Sequence, residues 1–216
     1  MALGVFALEM GQDDPTKCTA RKMINMDLAG GVSRKFHASD KVLVLNPFAT
    51  RVLSPPDKGA KAVLAVDCSW NQAEEVFFRK LGGKHRRLPI LLAANPTNYA
   101  RASMLSSLEA VAATMYVLGE VDEASSYLNI YKWGPTFLTL NQEPLEAYRR
   151  SRTEGAVLRA EREYFPQFLP EQTQEKWSGR RWKPRRREAD DQEPRRPYRR
   201  TRGWSSARQR LSEGME

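Results

Sequence analysis

Apolar residues gather in four short runs along the first half of the chain, at 4–9 (GVFALE), 42–46 (VLVLN), 62–66 (AVLAV) and 88–94 (LPILLAA). None alternates cleanly with polar positions. That is the signature of strands covered on both faces, and it predicts a parallel sheet in an α/β fold. Elsewhere the spacing becomes helical, over 19–26, 71–81, 105–118, 121–130, 134–150 and 154–165. Within 105–118, Leu105, Leu108, Val111, Ala112, Met115 and Leu118 recur at helical intervals, while Ala110, Ala112 and Ala113 permit close approach, so this helix is predicted to be core. The organisation that follows is an N-terminal α/β domain at 1–87, a mostly helical domain at 88–165 and an arginine-rich tail at 166–216.

The fourth run ends on Asn95-Pro96 and Asn98, which stop a strand, and Ser103, Ser106 or Ser107 can then cap the next helix. Open α/β sheets bind ligands beyond the carboxyl ends of their strands, which makes this corner the first candidate site. Two cysteines, Cys18 and Cys68, stand in different segments without a CxxC spacing, so neither a disulfide framework nor a thiolate metal site is expected. The first apolar run is too short to span a bilayer, has no basic leader and is followed by acids. It is read as a strand, and the expected setting is the reducing cytoplasm, away from membranes.

The net charge of +9 points to a polyanionic partner, and its distribution sharpens the point. Residues 166–216 carry 14 Lys and Arg against 8 Asp and Glu, which leaves only +3 for residues 1–165. Aliphatic residues nearly vanish in that tail, so it cannot bury enough surface to offset the entropy of ordering. Trp177, Trp182, Tyr198 and Trp204 interleave with clusters such as Arg185, Arg186 and Arg187. This suits stacking on RNA bases with guanidinium groups on phosphates, and it equally suits a solvated tail that only confers solubility.

No P-loop, GxGxxG fingerprint, HExxH or nucleophile elbow is present, which removes nucleotide hydrolysis, dinucleotide redox chemistry and hydrolase triads from consideration. What remains is a set of islands at strand ends and turns: DPTKCTARK at 14–22, LNP at 45–47, LSP at 53–55, DCSW at 67–70, LPILLAANPTNYA at 88–100 and YKWGPTFLTLN at 131–141. Small hydroxyls and prolines, with Asp67 and Trp70 at one strand end, suit a ligand held by backbone groups and apolar walls.

In these islands and their order, over residues 2–150, the chain resembles the ribosome-biogenesis family of rRNA aminocarboxypropyltransferases. The resemblance implies a variant of the SPOUT fold with a trefoil knot. It also implies a reaction: transfer of the 3-amino-3-carboxypropyl group of S-adenosylmethionine to N3 of a hypermodified (N1-methylpseudo)uridine in small-subunit rRNA, by a monomer acting on rRNA or a pre-ribosomal particle. Carried over by position, Thr19 would meet the carboxylate of the transferred group, Val66 the ribose, and Leu88 with Ser103 and Ser107 the adenine. Leu45, Pro47, Trp70 and Ala73 would wall the adenine and the sulfonium methyl, leaving the γ-methylene exposed; a methyltransferase reverses that exposure.

Uracil N3 is a weak acid, so Asp67 is the candidate general base, or else an electrostatic stabiliser of the sulfonium. Lys17, Arg21 and Lys22, with Arg185, Arg186 and Arg187, are the candidate RNA contacts. Three positions depart from the family pattern: Ala100 for glycine, Ala102 for proline and Ser103 for a large aromatic. Two other readings stand beside this one, a SPOUT-type RNA methyltransferase and a non-catalytic assembly factor that binds pre-rRNA through the tail.

Overall fold

Three of the apolar runs lie side by side at the centre of a parallel sheet. A computed structural model describes residues 3–11, 18–33, 35–68, 77 and 81–168. Among them, strands β1 (Gly4–Glu9), β2 (Gly30–Val32), β3 (Ala38–Leu45), β4 (Ala62–Asp67) and β5 (Gly82–Arg86) run in the order β2-β1-β4-β3-β5. Every pairing is parallel, with β1 and β4 in register from Gly4 opposite Ala62 to Glu9 opposite Asp67. Alternate residues feed two cores. Val5, Ala7, Leu43, Leu45, Val63 and Ala65 face the helices, whereas Leu8, Val42, Val44, Ala62 and Leu64 pack with Phe36 and Leu81 on the other side. Burial on both faces is why these runs lack alternation.

β2 and β5 were not expected. Their sequences, GGV and GGKHR, contain little that is apolar, and both lie at sheet edges, where short or charged strands discourage pairing with other chains. Gly82 and Gly83 have φ of +70° and +73°, a conformation that side chains disfavour, so the glycine pair is what lets the chain enter β5.

Six α-helices are present among the described residues: α1 (Thr19–Asn25), α2 (Ser107–Leu118), α3 (Val121–Leu128), α4 (Gly134–Leu140), α5 (Gln142–Arg150) and α6 (Glu154–Tyr164). α2 is the buried helix expected from its spacing. Ser106 caps it, with Glu109 completing a capping box, and Gly119 ends it at φ +96°. The single helix expected over 134–150 is two helices, because Pro144 has no N–H to donate to the Leu140 carbonyl and the chain turns at Asn141. The helix expected at 71–81 lies outside the described residues apart from Phe77 and Leu81, as does the tail beyond Phe168.

The strand expected at 88–94 is the main correction. Ile90, Leu91, Ala93 and Ala94 are buried, but the segment joins no sheet and forms one isolated bridge, between Leu92 and Ala102. Its backbone polar groups are met largely by side chains of the helical half. Glu161 accepts the Ile90 N–H at 2.8 Å and Tyr148 donates to the Ile90 carbonyl at 3.0 Å. Asn141 acts as a surrogate peptide, accepting from Leu92 N–H at 2.7 Å and donating to the Leu92 carbonyl at 2.8 Å. Glu109 accepts from the N–H groups of Ala94 and Asn95 at 2.6 and 2.9 Å. Buried backbone groups must find partners, and here they find carboxylate, phenol and amide.

Candidate functional site

Beyond the carboxyl ends of β3 and β4, a cleft of about 660 Å³ opens between the sheet and the start of α2. It forms there because parallel strands deliver their last residues to one edge while the chain leaves in different directions. Thr19, Leu45, Pro47, Val66, Asp67, Leu88, Ser103 and Ser107 all line it. Residues up to 88 positions apart in sequence thus converge. Trp70 and Ala73, the rest of the expected apolar wall, lie outside the described residues, as do Lys17, Arg185, Arg186 and Arg187.

Asp67 is the one carboxylate of the described lining, which also includes Arg87. Its Oδ1 accepts from Ser107 Oγ at 3.0 Å and its Oδ2 from the Cys18 thiol at 3.0 Å. Cys18 also caps α1, its sulfur accepting the Arg21 N–H at 3.2 Å. Burial, then the hydrogen bond to Asp67, push the thiol up to about 12, so at neutral pH Cys18 is a protonated donor and not a thiolate nucleophile. Thr19 lies one residue on, with its hydroxyl accepting the Leu108 N–H of α2 at 3.3 Å. The Leu88 carbonyl accepts from Arg87 at 3.2 Å.

The two described cations expected to contact RNA sit on α1 with partners of their own. Arg21 forms an ion pair with Glu9 at 3.1 Å, beside the Asp67 cluster because Glu9 and Asp67 end adjacent strands. Lys22 donates to the Ile130 carbonyl at 2.7 Å and lies 3.8 Å from the Tyr131 ring centroid, which ties α1 to the helical half. Neither lines the cleft.

Ser103 and Ala100, two of the departures, both have positive φ, +59° and +60°. Glycine adopts that conformation without strain, so the glycine that the family resemblance implies at position 100 would suit the backbone found there. Several functional neighbours escaped sequence reasoning. Glu109 is fully buried and accepts five hydrogen bonds, from Ala94, Asn95 N–H and Nδ2, and Ser106 N–H and Oγ. The Ser106-x-x-Glu109 spacing was the signal that could have found it.

Asn46, at the end of β3, bonds His85 through Nδ2 at 3.0 Å and accepts the Phe48 N–H at 2.9 Å. Taken together, the cleft offers an apolar floor, the hydroxyls of Thr19, Thr97, Ser103, Ser106 and Ser107, the Asp67 carboxylate, and an Arg87 whose charge is already paired with Glu161. That set suits a cationic, partly apolar ligand.

Comparison with known proteins gives a consistent result. A family model described as "Ribosome biogenesis protein, C-terminal" matches residues 43–165. A protein of Sulfurisphaera tokodaii named 16S rRNA aminocarboxypropyltransferase is 44% identical over 170 residues, covering 77% of this chain and 98% of its own length. One of the same name from Methanosarcina mazei is 38% identical over 163 residues, covering 74% and 94%. The solved SAM-dependent rRNA:acp-transferase Tsr3 of Vulcanisaeta distributa matches at a TM-score of 0.68 and 37% identity, over 77% of this chain and 90% of that one.

Proposed function

The chain belongs to the ribosome biogenesis family defined by that C-terminal region, and from this premise we propose that it is an S-adenosylmethionine-dependent rRNA aminocarboxypropyltransferase. Its acceptor is N3 of a hypermodified (N1-methylpseudo)uridine in small-subunit rRNA. The observation that carries the reading is the lining of the cleft: an ionisable Asp67 held by two donors beside the apolar floor of Leu45, Pro47 and Val66.

The donor set fits S-adenosylmethionine. When bound, that donor supplies a γ-carbon activated by the sulfonium, which bonds to N3 as the carbon–sulfur bond breaks and the thioether leaves with the electron pair. Leu45 and Pro47, with Trp70 and Ala73 by resemblance, would enclose the methyl and adenine, Thr19 would receive the carboxylate, and Val66, Leu88, Ser103 and Ser107 would hold ribose and adenine. Asp67 has two roles open to it, attraction of the sulfonium and acceptance of the N3 proton. The hydrogen bonds from Cys18 and Ser107 fix the direction in which it acts.

The same reading extends to the rest of the molecule. The family resemblance implies a SPOUT variant with a trefoil knot, and an enzyme that acts as a cytoplasmic monomer. No described helix is long and apolar enough to cross a membrane. Lys17, Arg21, Lys22, Arg185, Arg186 and Arg187 are the proposed phosphate contacts, which would steepen the salt dependence of RNA binding.

Mass spectrometry of the products tests the reaction. An aminocarboxypropyl adduct on the rRNA with methylthioadenosine is expected; a methyl adduct with S-adenosylhomocysteine overturns it. Asp67→Asn is expected to slow single-turnover transfer by about 10²-fold with donor saturating, and a rate near wild type would remove the proton-transfer role.

A further inference from the structure

One rim of the cleft is left unused by the donor assignment. The turn after Asn95 is held unusually firmly: Asn98 N–H donates to Asn95 Oδ1 at 3.0 Å, Arg101 N–H to the Asn98 carbonyl at 2.9 Å, and Ala100 N–H to the Ala93 carbonyl at 2.7 Å. Asn95 is buried and fixed by Glu109, which accepts from its N–H at 2.9 Å and its Nδ2 at 2.8 Å. A fully buried carboxylate therefore sets the position of a surface turn. From that turn Thr97 and Asn98 line the cleft. Asn98 Oδ1 receives only a 3.5 Å contact from Arg101, and its Nδ2 has no partner among the described residues. The next residue, Tyr99, is 58% exposed.

We propose that Asn98 and Tyr99 form the subsite for the acceptor nucleobase, an inference that rests on the transferase reading above. Asn98 donates from Nδ2 to a base carbonyl, and Tyr99 supplies the ring on which the acceptor or its neighbour stacks. In an imide base N3 lies between two carbonyls, and loss of its proton spreads negative charge onto both oxygens. A neutral amide donor fixed on one oxygen stabilises the anion more than the neutral base, and it leaves N3 itself open to form the new bond. Rigidity of the turn matters, because a donor already in place loses little entropy when the charge develops. Stacking on an aromatic side chain is the usual way a splayed RNA base is held.

The test uses the full chain, a small-subunit rRNA fragment containing the acceptor uridine, and saturating S-adenosylmethionine, with single-turnover rates across pH and donor affinity by calorimetry. Asn98→Ala is expected to slow transfer by about 10²-fold at neutral pH and to move the pH–rate profile upward, with donor affinity unchanged. Asn98→Asp keeps the shape of the turn but replaces the donor with an anion, and is expected to be slower still. Tyr99→Ala is expected to raise the RNA concentration for half-maximal rate by roughly 10-fold, and Tyr99→Phe to recover most of that loss. A wild-type chain that transfers while Asn98→Asp retains its rate and pH profile overturns the subsite alone. A wild-type chain that binds the donor but transfers nothing overturns the functional reading and the subsite with it.

Discussion

Two stretches of this chain look alike in sequence and are built in different ways. Val42–Leu45 within β3 (VLVL) and residues 90–94 (ILLAA) are both apolar, and all but the half-buried Leu92 are buried. In β3 the backbone is satisfied by the backbones of β4 and β5. In 90–94 the partners are largely the side chains of Glu161, Tyr148, Asn141 and Glu109, which lie 15 to 71 residues later in sequence. An apolar run thus reports that a segment is inside the protein, and the polar residues elsewhere decide what it pairs with once there. The second arrangement also places the Asn95 turn and Ser103 at the cleft.

If side chains hold 88–103 in place, removing them should cost more than their packing alone. Glu161→Ala is expected to be the most damaging, at about 3–5 kcal/mol in chemical denaturation, because Arg87, paired with it at 2.7 Å, and the Ile90 N–H both lose a buried partner. A cost below about 1 kcal/mol would erase the contrast with the sheet. Asn141→Leu keeps much of the volume but strands the N–H and carbonyl of Leu92, for an expected loss of about 2–3 kcal/mol together with faster amide exchange at Leu92. The reverse direction is available at Ala100, whose φ is +60° on an exposed turn: Ala100→Gly should raise stability by about 0.5–1 kcal/mol. At the small end, Arg150→Ala removes an exposed partner of Glu146 and should change stability by less than about 0.5 kcal/mol, distinguishing surface ion pairs from the buried carboxylates.

How much was legible follows the same physics. β1 and β4 were readable because central strands are apolar throughout, and α2 because its buried stripe, serine cap and terminal glycine all agree. β2 and β5 were not, since an edge strand need not be apolar. The helix predicted over 134–150 hid its break, although Pro144 marked it. For the site, eight candidates converge on one cleft, seven of them carried over by resemblance in motif and Asp67 chosen for the acid-base chemistry of the acceptor. The pairing of Asp67 with Cys18 and Ser107 was invisible, because it joins β4 to the starts of two helices and leaves no spacing in the sequence. The roles of Arg21 and Lys22 within the fold were hidden for the same reason, since their partners Glu9, Ile130 and Tyr131 are brought near only by packing.

By itself, then, the sequence determined the α/β class, the central strands, the buried helix and the family, because these depend on local periodicity and on short motifs that survive as strings. The tertiary structure alone decided that 88–94 would be an irregular segment held by helix side chains, that Asp67 would be clamped by a thiol and a hydroxyl, and that a buried Glu109 would fix the rim of the cleft. Each of those depends on hydrogen-bonding groups far apart in the chain meeting in a dry interior, where an unmet polar group is too costly to leave and the available partners, not the local pattern, choose the geometry.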